Sequence, residues 1–212
     1  MSGILEQEVE RYIDSLLPAR DQVLRDMEGY AKKHAVPVVG PACARVLEQM
    51  ARLIGARRVF ELGSAIGYST LWLARAVGPG GRVYYTDNDP ENARRAQAAF
   101  RRAGVEKRVR ILVGDALASL ESTPGQFDLI FNDVNKTAYP EVFRLAVPRL
   151  RKGGLFITDN VLLSGRVAHR PAPGDTRTRV MQEFNRLMYN SPRLLTTIIP
   201  LRDGLAVCVK VK

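Results

Sequence analysis

The segment Val59-Phe60-Glu61-Leu62-Gly63-Ser64-Ala65-Ile66-Gly67-Tyr68-Ser69-Thr70 constrains this chain more than any other: an apolar run passes into two glycines and then into residues that can open a helix. A buried strand, a tight turn and a helix in that order make a corner whose backbone amides can cradle a nucleotide. The spacing is Gly-x-x-x-Gly after an acid, whereas a dinucleotide fingerprint needs Gly-x-Gly-x-x-Gly so that a pyrophosphate can approach the backbone. A ligand without a pyrophosphate is therefore expected. S-adenosylmethionine suits the corner, with its amino-acid end against the turn amides and Glu61 and its ribose beside an acid at the end of the next strand. Asp87 stands there, after Arg82-Val83-Tyr84-Tyr85-Thr86. A plain strand-to-helix connection is the alternative for the glycines alone, and Asp87 at this offset favours the cofactor.

Two further strand ends carry oxygen ligands. Phe127 to Asn132 reads as a buried strand ending at Asp133, and Gly154 to Thr158 as another ending at Asp159-Asn160. Ligands of an open parallel sheet bind outside the carboxyl ends of its strands. If the two strands are neighbours, about 4.8 Å apart, then Asp133, Asp159 and Asn160 converge. Two carboxylates and an amide oxygen, with no His or Cys nearby, are a hard-oxygen set suited to Mg2+, with Mn2+ and Ca2+ as alternatives. Each residue taken singly reads more readily as a cap of a helix or turn, and the metal reading gains from their joint placement on two consecutive strand ends.

These motifs together resemble the cation-dependent class I O-methyltransferases of the caffeoyl-coenzyme A and catechol type. The resemblance is carried by Phe60-Glu61-Leu62-Gly63 with Gly67-Tyr68-Ser69, Asp133-x-x-Lys136 with Tyr139, Asp159-Asn160-Val161-Leu162 with Gly165, and Asp203-Gly204-Leu205. It implies cofactor contacts at Glu61, Gly63, Tyr68, Ser69, Asp87, Asp115, Ala116 and Asp133, and covering of the cofactor by Val38 and Val39. It makes Asp133, Asp159 and Asn160 metal ligands, Lys136 the candidate base and Asp133 a second catalytic residue. Lys136 paired with Asp133 on the surface is the alternative for that lysine. Where plant-type members show Asp-x-Asp-Lys, this chain has Asp133-Val134-Asn135-Lys136, which alters the electrostatics on the acceptor side.

The remaining pattern predicts an α/β fold. Apolar residues at helical spacing run from Ile4 to Leu17 and Ala19 to Ala35, broken at Pro18, and Pro41 opens a third helix through Ala56. Strands at Arg58–Leu62, Arg82–Thr86, Val109–Val113, Phe127–Asn132 and Leu155–Thr158 alternate with helices, which implies a parallel sheet with right-handed crossovers. Asp203-Gly204 between Leu194–Leu201 and Leu205–Val211 signals a closing antiparallel hairpin. The expectation is a Rossmann-like, mostly parallel seven-stranded sheet ending in that hairpin. It forms one domain over residues 1–212, with N-terminal helices over 1–56 and the core over 57–212. Ser164 to Arg179, containing Pro171, Pro173 and Gly174, reads as a loop leaving the sheet beside Asp159-Asn160, either a substrate loop or a plain surface connection.

Composition narrows the function. At 212 residues, 46% hydrophobic and 25% charged, the chain is an ordinary globular protein, and no apolar run approaches a membrane span. Without a signal-like N-terminus it is expected in the cytoplasm. Cys43 and Cys208 read as core residues, and His34 and His169 have no partners at ligand spacing. The net charge of +10 favours anionic partners, yet the basic residues are scattered and no aromatic-interleaved stripe accompanies them. The chemistry thus points to methylation of a vicinal-dihydroxy aromatic, with the protein positioning an oxygen against an already electrophilic sulfonium and the ion acidifying it. A transfer-RNA methyltransferase acting on a hydroxylated or carboxylated uridine is the alternative, and a non-catalytic adenosine-binding module the third. Homodimerisation through the N-terminal helices follows from the resemblance.

Overall fold

A computed structural model describes residues 4–212. Three helices lead the chain: α1 (Gln7–Ser15), α2 (Gln22–His34) and α3 (Gly40–Leu53). Their ends differ by a few residues from the periodicity because local caps decide them. Asp21 accepts from Leu24 N at 3.0 Å to start α2, and Ala35 stops it in a left-handed conformation.

Strands and helices then alternate: β1 (Arg58–Leu62), α4 (Tyr68–Ala76), β2 (Arg82–Asp87), α5 (Pro90–Arg102), β3 (Val109–Val113), α6 (Ala116–Ser122), β4 (Phe127–Asn132), α7 (Tyr139–Arg149), β5 (Leu150–Thr158) and α8 (Thr176–Tyr189). β6 (Leu194–Ile199) and β7 (Leu205–Lys210) close the chain. The seven strands lie in the order β3-β2-β1-β4-β5-β7-β6. All are parallel except β7, which runs against both β5 and β6. This is the expected Rossmann-like sheet with its terminal hairpin. The order reverses between β1 and β4, the place where open sheets of this kind form a crevice.

Two readings change. β5 begins at Leu150 rather than Leu155, because Leu150 pairs with Phe127 across a register shift. Gly154 makes that possible, since a Cβ there would meet Asp128 O at 2.9 Å. The segment after Asn160 is also more ordered in pattern than a free loop. Leu163–Ala168 is a kinked run of short turns with Ser164 and Gly165 in left-handed backbone, and α8 already starts at Thr176, where Asp175 accepts from Thr178 N at 3.1 Å.

Both faces of the sheet are covered, so its central strands read as continuous apolar runs rather than alternating ones. Val59, Leu129, Phe131 and Ile157 pack on the side of Leu47, Leu71 and Phe100. Phe60, Ile130 and Phe156 pack on the side of Val142, Met181 and Phe184. Phe184 meets the Tyr139 ring at 5.1 Å and the Phe156 ring at 6.5 Å, so it joins α8 to α7 and to the sheet. Among the described residues no helix is long and apolar enough to cross a membrane. Phe184→Ala should cost about 3–5 kcal/mol of stability, read from the urea midpoint at unchanged slope.

Candidate functional site

The carboxyl ends of β1, β2, β4 and β5 open into a cavity of about 770 Å³. Its floor is set by the backbone. Gly63 adopts φ +82°, and a Cβ there would meet Asp133 O at 2.7 Å and Val134 N at 3.1 Å. Only glycine lets the turn after β1 lie against the end of β4. Gly67, also at φ +82°, leads into α4 over Phe100, whose Cζ would lie 2.6 Å from a Cβ. Asp87 at the end of β2 accepts from Ala65 N at 3.0 Å, Asp89 N at 2.9 Å and Asn92 Nδ2 at 3.1 Å, which fixes its carboxylate on the cavity wall.

The paired acids are placed by the ladder. Asn132 pairs with Leu62 on one side and Thr158 on the other. One residue further on, Asp133 N donates to Leu62 O at 2.9 Å and Asp159 N to Asn132 O at 3.1 Å. The two side chains therefore leave neighbouring strands at the same level and toward the same side. Asn160 follows at φ +58° and turns the chain off the sheet, held by Val161 N to Gly204 O at 3.1 Å and Leu162 N to Asp203 O at 2.9 Å. Asn is one of the few non-glycine residues that takes left-handed backbone readily, so this turn off the sheet suits the residue placed there.

Burial dominates the electrostatics. It pushes Asp159 up to about 7, with the Asp133 charge adding to the effect. It also raises Asp133, against the pull of Lys136, whose Nζ is 2.7 Å from Asp133 Oδ1. Glu61, fully buried under the glycine turn, is pushed up to about 7 by burial, opposed by the hydroxyls of Ser69, Thr70 and Ser64. Its Oε2 accepts from Thr70, while Oε1 has no hydrogen-bond partner among the described residues. An orphaned carboxylate oxygen below a cradle of amides suits a ligand that brings an ammonium group. Among the described residues no three His, Cys, Asp or Glu side chains gather, so a cation held here would take Asn160 as its third protein oxygen. Asp133, Asp159 and Asn160 all line the cavity, and hard oxygens in this number suit a divalent ion that keeps open positions.

The O-methyltransferase family model matches residues 19–211. The chain belongs to that family. The expected family, the S-adenosylmethionine-dependent O-methyltransferases, is thus the one found. A catechol O-methyltransferase of Niastella koreensis is 31% identical over 99% of each chain. The O-methyltransferase TomG of Streptomyces achromogenes, involved in tomaymycin synthesis and solved in complex with S-adenosylmethionine, superposes with a TM-score of 0.88 at 30% identity, covering 98% of this chain and 100% of that one. An O-methyltransferase of Bacillus cereus in complex with SAH gives 0.84 at 30% identity, over 96% of this chain and 97% of that one.

In this O-methyltransferase the cavity gathers Gly63, Tyr68, Ser69, Asp87, Asp133, Lys136, Asp159 and Asn160 of the sequence-predicted site, together with Val38 and Val39. Glu61 lies beneath it rather than in its wall. Asp115 and Ala116 stand apart at the end of β3, where Asp115 caps α6 by accepting from Ala118 N at 2.8 Å. Gly114 N, next to them, donates to Asp87 O at 2.9 Å, so they border the Asp87 end. Tyr68 turns its hydroxyl outward to Glu28 Oε1 at 2.7 Å, and Arg20 completes that chain at 3.0 Å. The Lys136–Asp133 ion pair exists, but in the cavity wall and not on open surface. Asn135 uses its amide oxygen to accept from Thr137 N at 3.3 Å, shaping the 3-10 turn Lys136–Ala138. Sequence reasoning missed Arg177 and Arg202, which also line the cavity. Arg202 directly precedes the Asp-Gly hairpin signal, and Arg177 falls within the segment that reads as a loop in sequence yet stands in the first turn of α8.

Glu61 predicts a pH dependence. Between its ordinary 4.5 and about 7, the unfolded chain has released a proton that the folded protein keeps, so stability falls as pH rises through that window. Melting temperatures of the ligand-free protein between about pH 5 and pH 8 should decline less steeply in Glu61→Gln than in the wild type.

Proposed function

We propose that this O-methyltransferase moves the methyl group of S-adenosylmethionine to one hydroxyl of a vicinal-dihydroxy aromatic, with a divalent cation, Mg2+ in the first place, held by Asp133, Asp159 and Asn160. One observation carries the reading. Those three residues and Lys136 share a cavity with Gly63, Ser69 and Asp87, so acceptor-side oxygens and cofactor-side groups face one space. The name of the Niastella koreensis relative supports the same acceptor class.

The cofactor brings an electrophilic methyl group, and the ion would supply Lewis acidity and a template for two adjacent oxygens. The chain's own residues do the positioning. Asp87, already fixed by three donors, offers its remaining lone pairs to the ribose, and Glu61 Oε1 offers a counter-charge to the amino-acid end. Val38 and Val39 form an apolar wall that excludes water, which strengthens each charge interaction inside. Lys136 Nζ, steered by Asp133, stands where it can take the acceptor proton in its neutral form. We read residues 1–212 as one domain. A homodimer through α1 is supported by Tyr12 and Leu16, which leave 64% and 65% of their surface exposed.

A small acceptor suits the surface better than a nucleic acid. Arg94 and Arg95 pair with Glu91, Arg101 with Glu106, and Arg102 with Asp26, so much of the basic excess along α5 is spent on local acids.

The deciding assay offers small catechols, acyl-coenzyme A esters and bulk transfer RNA in turn, with and without chelator. Catechol turnover should vanish in chelator at unchanged circular dichroism and return with Mg2+ or Mn2+; full activity in excess chelator would sink the ion. Asp87→Ala should weaken S-adenosylmethionine binding by roughly 1.5–3 kcal/mol in calorimetry. Lys136→Ala should leave that affinity alone and lower turnover by roughly 10² to 10⁴.

A further inference from the structure

We propose that the acceptor of this enzyme carries an acidic arm, a carboxylate on or close to the dihydroxy ring, and that Arg177 and Arg202 bind it. The inference rests on the catechol reading above and narrows it to an anionic substrate class.

Both guanidinium-bearing residues line the cavity together with Asp133, Lys136, Asp159 and Asn160, and they come from two different walls. Arg177 lies in the first turn of α8, and Arg202 in the turn between β6 and β7. Among the described residues neither forms an ion pair. Arg177 makes no side-chain hydrogen bond there, and Arg202 only donates Nη1 to Val38 O at 3.2 Å. The nearby acids are engaged elsewhere. Asp175 is taken by Arg166 at 2.6 Å and by the cap of α8, and buried Asp203 accepts from Ser164 N. An arginine left without a carboxylate in a cavity is a fork of donors waiting for one.

Arg202 is held there with some effort. Its backbone sits at φ +51°, a conformation that L-residues other than Asn and Asp seldom take. Its guanidinium lies so close over Gly40 that a Cβ at that position would overlap Nη1 and stand 2.9 Å from Cζ. Gly40 thus leaves the space that the head group fills, and the Val38 carbonyl orients it. From this seat its charge favours the ionised forms of both Asp133 and Asp159.

Charge bookkeeping points the same way. At the acceptor end, the carboxylates of Asp133, Asp159 and Asp203 are matched by Lys136, Arg177 and Arg202. With a divalent cation between the two strand-end acids and Lys136 neutral, ready to act as base, this end would hold one positive charge in excess. Passing the catechol proton to Lys136 leaves that total unchanged. An acceptor with a carboxylate offsets it, which a neutral catechol cannot do.

The test compares three acceptors of one ring: 3,4-dihydroxybenzoate, its neutral methyl ester, and the cationic 3,4-dihydroxybenzylamine, each with the full chain, S-adenosylmethionine and Mg2+. The acid should exceed the ester in kcat/KM by about tenfold or more, mainly through KM, and the amine should be poorest. The acid-to-ester ratio should drop in Arg177→Ala and in Arg202→Lys, and approach one in the Arg177→Ala/Arg202→Ala double variant. Calorimetry of acid and ester against the enzyme holding S-adenosylhomocysteine should give the same order of affinities. Should Arg202→Ala fail to fold, exposed Arg177→Ala and the conservative Arg202→Lys still decide the matter. Equal handling of acid and ester by the wild type, or a ratio that survives these substitutions, overturns the acidic arm and leaves the catechol reading standing. No turnover of any of the three overturns the catechol reading and this inference with it.

Discussion

The backbone ladder across β1, β4 and β5 is the interaction on which the rest depends. Its last rungs, Leu62 O to Asp133 N and Asn132 O to Asp159 N, carry the pairing one residue past each strand. Everything chemical is hung from those rungs: two carboxylates at one level, Asn160 just beyond, and the glycine turn of β1 pressed against the Asp133 carbonyl. Side-chain contacts alone would not hold two carboxylates and an amide this close. Parallel pairing does so by fixing the register, and a slip of one residue would send the acid of the slipped strand to the opposite face of the sheet.

That arrangement has an electrostatic cost. Glu61, Asp133 and Asp159 are each raised by burial, and the protein offers them hydroxyls, Lys136 and Arg202 rather than full neutralisation. The same incompleteness gives the cavity its capacity to bind. A site already satisfied by its own side chains would gain little from a cationic cofactor, and the unpartnered Oε1 of Glu61 records the difference.

Much of this was legible in the sequence because it is written in local chemistry. Strand β1 and the glycine turn follow from an apolar run and two glycines, and the hairpin from Asp203-Gly204 between apolar segments. Asp133, Asp159 and Asn160 could be brought together because strand ends in a parallel sheet share a side. What stayed hidden depends on distant contacts. The early start of β5 needs Leu150 to find Phe127. The outward turn of the Tyr68 hydroxyl needs Glu28, forty positions away. Arg177 and Arg202 carry no motif at all, and only the folding of α8 and the β6–β7 turn toward one opening brings them to the same cavity.

The hydrogen-bonded chain Arg20–Glu28–Tyr68 joins α2 to the first turn of α4, and Val38 and Val39 just after α2 form part of the cavity wall. The leading helices are therefore no detachable preface to the sheet. A fragment trimmed to begin at β1 would keep every strand and the strand-end acids of the cavity, yet would remove Val38 and Val39 from the cavity wall and leave the Tyr68 hydroxyl without its Glu28 acceptor. For anyone dividing or fusing this chain, α2 and the Arg20 that precedes it belong with the sheet.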